Sequence, residues 1–179
     1  MPYNAKKFRD RIKTFAKPST FDIQFTGLPE SIFLPADIKT FDELQFRAYS
    51  TQLPGINLDT VERRYHGPQR MIPTGYFYQQ MNISIIETGD YKMRELFDYW
   101  VNQIAPAQNG YYLFYYDELI AKEMLIKLYD KANNEKIIKT YKLEEVYPIG
   151  ISPVVLDWGY RDTFTAINID LAYRKWSVI

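Results

Sequence analysis

Along much of this chain apolar and polar residues alternate with period two, and the runs stop at a glycine or a proline. That pattern constrains the fold more than any other feature, because successive residues of a strand point to opposite faces, so alternation builds one apolar and one wet surface. "TFDIQFTG" (20–27) sets Phe21, Ile23 and Phe25 against Asp22, Gln24 and Thr26. "QFRAYST" (45–51) sets Phe46, Ala48 and Ser50 against Gln45, Arg47, Tyr49 and Thr51, and then meets Leu53-Pro54-Gly55. "MNISIIE" (81–87) sets Met81, Ile83 and Ile85 against Asn82, Ser84 and Ile86. Proline lacks the N–H a ladder needs and glycine admits turn conformations, so these runs read as strands whose length is fixed locally.

One segment departs from the pattern. In "GDYKMRELFDYWVNQIAP" (89–106) Met93, Leu96, Phe97, Trp100, Val101 and Ile104 recur at three and four residues, which predicts a helix over 91–104, closed by Pro106. Such a stripe serves to cover a sheet, and Phe97, Tyr99 and Trp100 read as core rather than as an aromatic cofactor box. Strands return in "EMLIKLYD" (123–130), "IIKTYKLEEVYPIGI" (137–151) and "TFTAINIDLAYRKW" (163–176). Asn133 and Asn134, in the polar link between the first two, suit a hairpin turn. In the last run Phe164, Ala166, Asn168, Asp170 and Ala172 alternate with Ile167, Ile169, Leu171 and Tyr173. No repeat, low-complexity tract or long linker divides the chain.

With 179 residues and no cysteine, the sequence fits one domain that folds on its own core, without disulfides, thiolate metal sites or a cysteine nucleophile. The 22 basic and 22 acidic residues balance, so no overall field holds nucleic acid or an anionic membrane. The balance is uneven along the chain. Residues 1–20 carry Lys6, Lys7, Arg9, Arg11, Lys13 and Lys17 against Asp10 alone, a net +5, which leaves −5 for residues 21–179. This basic N-terminal arm lacks a continuous apolar run, so neither a secretory signal nor a membrane anchor is expected there. It reads either as a solvated arm or as one that docks on an acidic surface of a neighbouring copy.

Residues with the spacing of a chemical site are scarce. His66 is the single histidine and has no ligand at helical spacing, so no metal and no cofactor is expected. "TGLPES" and "PTGYF" lack the glycine-rich pattern and lysine of a phosphate loop. Asp42-Glu43 and Glu144-Glu145 are adjacent pairs whose members point apart on a strand, a poor arrangement for general acid and base catalysis. Asp157 and Asp162 flank Trp158, where aspartate usually caps a bend. No enzymatic activity is expected. Tyrosine is abundant: sixteen residues, with five aromatics among 111–116. Its rigid face and polar end suit surfaces that meet other molecules, as well as half-buried strands.

The ordered blocks "FRAYSTQLPG", "VERRYHGPQRMIP", "GDYKMRELFDYWVNQI", "LEEVYPIGISPVVLDWGYRDT" and "INIDLAYRKW" resemble the major tail tube protein of contractile-tailed, T-even-like bacteriophages, over about 21–176. The resemblance implies a mainly β, α+β fold: two packed antiparallel sheets, a sandwich or barrel, with one flanking helix and strands given to a shared inner barrel. It divides the chain into the arm, 1–20, and a tail tube domain, 21–179. It also implies a structural virion protein: hexameric rings stacked into a tube in the virion tail, assembled in the host cytoplasm, with phage DNA ejected through the bore when the sheath contracts. The implied partners are further copies of itself, the sheath protein, baseplate tube-initiation proteins, a tail terminator and a tape measure protein in the bore. DNA passes without stable binding.

By the same resemblance Leu53, Pro54, Gly55, Tyr65, Gly67, Pro68, Tyr147, Pro148, Asp157 and Trp158 match turn positions, and Tyr173 and Trp176 the terminal strand. Asn82 and Ser84, or Ala166, Asn168 and Asp170, are expected to face the bore. A sheet leaves unpaired N–H and C=O groups at its edges, and a ring of identical subunits removes them by pairing each edge with the next copy. Rings repeating head to tail form an open stack, which needs an initiator and a stop. The alternatives within this architecture are a tube initiator or a related injection or secretion tube. From another class, the chain is a monomeric sandwich binding sugar or peptide through Tyr111, Tyr112, Tyr115 and Tyr116, or an enzyme using Asp157 and Asp162.

Overall fold

A computed structural model describes residues 20–28, 43–64, 67–106, 116–130, 136–159 and 163–179. In chain order the elements are β1 (Phe21–Thr26), a single helical turn α1 (Leu44–Arg47), β2 (Ala48–Thr51), β3 (Ile56–Arg63), β4 (Arg70–Tyr78), β5 (Met81–Ile86) and α2 (Lys92–Ile104). After a 3-10 turn (Tyr116–Glu118) come β6 (Ala121–Tyr129), β7 (Ile137–Ile151), β8 (Ala166–Ala172) and β9 (Lys175–Val178). All strand pairing is antiparallel. The fold is mostly β with one long helix, as the sequence implies.

Seven strands form one hydrogen-bonded path, β1-β6-β7-β8-β5-β2, with β9 joined to β7, while β3 and β4 make a separate hairpin. The path folds into two layers because β7, 15 residues long, belongs to both. Its first part pairs with β6 and β9, and its last part, from Tyr147 to Ile151, pairs with β8. The crossing lies beside Glu145, whose φ of 56° is a left-handed conformation that an L-residue adopts only under constraint. One layer is thus β1-β6-β7-β9 and the other β2-β5-β8 with the end of β7.

The core lies between the layers. Ile23, Met124, Ile126 and Leu143 from the first meet Met81, Ile83, Ile85, Ile167, Ile169 and Leu171 from the second, all essentially fully buried. The alternation in 81–87 and in the last run therefore predicts the buried face correctly. Helix α2 adds Met93, Leu96, Phe97 and Trp100, the predicted stripe, with Trp100 donating through Nε1 to the Leu119 carbonyl at 2.8 Å. Its first turn is capped from a distance: the Arg94 N–H donates to Glu87 Oε1 at 2.5 Å, satisfying one of the free donors of a helix N-terminus. Among the described residues no helix is long and apolar enough to cross a membrane.

Three expectations are corrected. Residues 45–51 are not one strand: Leu44–Arg47 form a helical turn, with Leu44 buried against β1 and Arg47 paired to Glu43 one turn back at 2.5 Å, and only Ala48–Thr51 extend. The run 163–176 is not one strand either, since β8 ends at Ala172 and β9 starts at Lys175 in the other layer. The hairpin β3–β4 is an element the strand reading did not contain. Strands β6 and β7 do pair, closed by the Asp130 N–H donating to the Lys136 carbonyl at 2.9 Å, but Asn133 and Asn134 lie outside the described residues.

Neighbouring residues on opposite faces give a direct test of this arrangement. Ile169→Ala should lower stability by about 2–5 kcal/mol through lost burial and a cavity. Asn168→Ala, which loses only the exposed bond to Ser84, should cost about 1 kcal/mol or less, both read by urea denaturation. A second test concerns Glu87, which is buried and whose pKa burial raises, against opposing pulls from the Arg94 and Thr88 backbone and Arg47. A raised folded pKa means its contribution is greatest below the ordinary carboxylate range and is lost as pH rises through the folded value. Glu87→Gln keeps the acceptor for Arg94, so its melting temperature should fall less than that of the natural chain between pH 4 and pH 7.

Candidate assembly surfaces

The described residues singled out by sequence fall on the outer face and a margin of the second layer, on the β3–β4 hairpin and its root, in the loop after β7 and in β9. The outer face of that layer, opposite the core, carries the bore-facing candidates together. Asn82 donates through Nδ2 to Asp170 Oδ1 at 2.8 Å, and Ser84 donates through Oγ to Asn168 Oδ1 at 2.6 Å, each pair directly cross-strand between β5 and β8. Ala166 stands opposite Ile86 on the same face, and Ser50 of β2 stands opposite Ser84. These side chains are small or hydrogen-bonded laterally, and none is basic.

Among the described residues, each of the two margins of this layer has a single pairing strand. On one side β2 pairs only with β5; on the other, β7 from Tyr147 onward pairs only with β8. Tyr147 and Pro148 sit inside β7 rather than in a turn, opposite Ala172 and Leu171, with Pro148 buried. Proline is tolerated here because the strand is at an edge. Beyond the margins the first layer shows a wet surface of paired charges: Lys142 with Glu123 at 2.5 Å, Lys175 with Glu144 at 3.0 Å, and Arg174 with Glu145.

Leu53-Pro54-Gly55 is the root of the β3–β4 hairpin. Pro54 is buried and Leu53 exposed. The Gly55 carbonyl accepts from the Gln79 N–H at 3.2 Å and from Tyr173 Oη at 3.3 Å, clamping both strands to the body. A Cβ at Gly55 would meet the end of the Gln79 side chain, which would have to turn aside. Tyr173 is buried between β8 and β9 with its ring 5.9 Å from Tyr78, and burial raises its hydroxyl pKa. Trp176, in β9, packs 6.0 Å from Tyr141.

The hairpin itself is bare. Apart from Tyr78, every residue of its two strands is exposed, including Ile56, Leu58, Val61, Met71, Ile72, Tyr76 and Phe77. Gly67, with φ 91°, and Pro68 lie in its turn, while Tyr65 and His66 lie outside the described residues. The loop after β7 is similarly apolar, with Val155, Leu156 and a fully exposed Trp158. Asp157 there accepts the Gly159 N–H at 2.8 Å, the capping role expected of it. Asp162 and Tyr111, Tyr112 and Tyr115 lie outside the described residues; Tyr116 opens the 3-10 turn. Among the described residues no group of three histidine, cysteine, aspartate or glutamate side chains is gathered for a metal.

The geometry thus presents two sheet margins with one pairing strand each among the described residues, a wet outer face and an exposed hairpin. The family described as phage tail tube protein matches residues 16–179, and the chain belongs to that family of structural tube proteins. No curated protein sequence matches it. Its fold is similar to a chain in the baseplate of the anti-feeding prophage, at TM-score 0.64 and 13% identity over 93% of this chain and 96% of that one. It is similar to a chain in the extended sheath-tube complex of the extracellular contractile injection system PVC, at TM-score 0.61 and 13% identity over 99% of both. A chain in the PVC sheath/tube terminator gives TM-score 0.62 and 16% identity over 93% and 97%. At these identities the likeness concerns the fold.

If Tyr173 holds the hairpin root, Tyr173→Phe should cost about 1 kcal/mol and speed amide exchange in β3 and β4 while leaving β5 and β8 protected, as measured by hydrogen-exchange mass spectrometry.

Proposed function

We propose that this chain is the repeated subunit of the inner tail tube of a T-even-like contractile phage tail, six to a ring, with rings stacked on one another. Strand β2 of one subunit pairs with the β7 end of the next, so that the four-stranded layers join into one barrel wall. The observation that carries this reading is the pair of margins, each with one pairing strand among the described residues, on a layer whose outer face is wet. An isolated edge of this kind invites pairing, and closure removes both edges at once.

Size favours a passage. Six four-stranded layers at about 4.8 Å per strand give a circumference on the order of 115 Å and a backbone diameter of about 37 Å, more strands than the porins that already leave a water-filled channel. Asn82, Ser84, Ala166, Asn168 and Asp170 line the bore in this reading. A lining without lysine or arginine does not hold phosphate, so DNA slides through rather than binds. The sheath outside, the baseplate initiator and terminator at the ends, and the tape measure protein within are the partners, and the virion tail is the location. The likeness to chains from sheath-tube, baseplate and terminator assemblies supports the sheath, baseplate and terminator among these partners. Residues 1–17, the basic part of the arm, bridge neighbouring subunits, and 21–179 form the tube domain.

Negative-stain micrographs of the purified chain should show rings or tubes with a central hole; a monodisperse monomer overturns the reading. In assembled tubes, cysteines placed singly at 82, 84, 166, 168 and 170 should react with a small thiol reagent and resist a bulky one that cannot enter. Protection of all five from both reagents removes this face from the bore.

A further inference from the structure

Each margin of the second layer carries an irregularity at its centre. The Ser152 N–H donates to the Asn168 carbonyl at 2.8 Å, so Ser152 and, two residues back, Gly150 direct their backbone groups at β8. Alternation turns those of Ile151 the other way, toward the side of β7 on which no described strand lies. The register with β8 shifts between Pro148 and Gly150, and the extra residue leaves Pro148 and Ile149 facing that side together. The donors this stretch offers outward are the N–H groups of Ile149 and Ile151. Proline has none, and Pro148 and Pro153 flank them.

Strand β2 has the matching spacing. The Glu87 N–H donates to the Thr165 carbonyl at 2.8 Å, so the odd residues of β5 face β8 and Ser84 faces β2. Ser50, opposite Ser84, therefore directs its backbone groups at β5, and Tyr49 and Thr51 direct theirs outward, with the register shift lying between Ala48 and Ser50. Strands β2, β5, β8 and β7 are successively antiparallel, so β2 of one copy runs opposite to β7 of the next.

We propose that Pro148 and Pro153 fix the register of the joint between copies, by leaving on the β7 margin two donors spaced for the two outward residues of β2. The proposal rests on the β2-to-β7 joint of the tube reading and adds the residues that decide its alignment. Tyr49 then stands opposite Ile151 and Thr51 opposite Ile149, each pair exchanging two backbone bonds, with Ser50 opposite Gly150 between them. A slip by one residue is refused by the faces: Thr51 lies beside Ile83 and Ile151 beside Ile169, both on the core side. A slip by two keeps the faces, so the side chains do not forbid it. The prolines do. Shifted one way, Tyr49 meets Pro153, which has no N–H to give. Shifted the other way, Thr51 meets Pro148, equally without a donor, and Tyr147, whose backbone groups are directed at Ala172. Loss of one ordinary backbone bond weighs against a slipped joint by about fivefold, and every joint of a closed ring repeats the penalty.

No native cysteine interferes with the test. Ser50→Cys with Gly150→Cys in one chain, oxidised after assembly, should give a ladder of covalent oligomers on a denaturing gel, because residues opposite each other between bonded pairs lie closest. Gly150 has room for the side chain, since a Cβ there meets only Asp170 Oδ2, at 3.9 Å. Ser50→Cys with Ser152→Cys reports the slip by two and should give about a fifth as much ladder or less. Adding Pro153→Ala, at an exposed position, restores the missing donor and should raise this second ladder about fivefold. Equal ladders from the two pairs with both prolines in place, or a second ladder that Pro153→Ala does not move, overturn the role of the prolines and leave the tube reading standing. Rings in micrographs with neither ladder overturn the β2-to-β7 joint and the proposal with it. A chain that forms neither rings nor ladders overturns the proposal and the tube reading together.

Discussion

One strand holds the two layers together by backbone hydrogen bonds as well as side chains. Strand β7 is shared, and the ladder passes from β6 to β8 because the chain takes a left-handed step at Glu145. That step reverses which parity of residue points inward: Leu143 is buried before it, and Val146 and Pro148 are buried after it. An L-residue in this region costs about 1–2 kcal/mol, offset here by the Arg174 N–H donating to the Glu144 carbonyl at 3.0 Å and by the Arg174–Glu145 pair. Were the alternation unbroken, the end of β7 would turn its apolar side to water and its layer would lose a margin.

That crossing shapes the surfaces to which the proposed assembly assigns a role. It leaves the last residues of β7 as an edge, opposite the other edge at β2, with the polar ladder of Asn82, Asp170, Ser84 and Asn168 across the face between them. Lateral hydrogen bonds satisfy these side chains within the layer. In this chain of the tail tube family the core is closed within the subunit, while each margin of the second layer has one pairing strand among the described residues.

Where one side of an element is buried in the subunit itself, the sequence announced it. The stripe of α2, the alternation of β5 and β8, and the limits 137–151 of β7 follow from periodicity, since burial selects apolar residues at fixed spacing. The hairpin escaped because, beyond Tyr78 at its root, its residues are exposed on both faces, so no alternation is enforced; the irregularity between Asp59 and Thr60 and the proline at 73 blur what remains. Residues 45–47 alternate as a strand would, yet they form a helical turn that starts at Leu44, a core residue. The break between Ala172 and Lys175 carries no glycine or proline and reflects the passage from one layer to the other.

The bore candidates were found in the sequence as the polar half of two alternating runs, but their meeting across one face is a fact of register. Sequence by itself determined a cysteine-free, strand-rich domain with one covering helix, and the blocks that mark its family, because composition and period record local burial. Only the tertiary structure decided that two layers share β7, that β2 and the end of β7 each have one pairing strand among the described residues, and that the polar halves of β5 and β8 meet on one face. Those features arise from hydrogen bonds between residues far apart in the chain, such as Asn82 with Asp170, and no local pattern encodes such pairing.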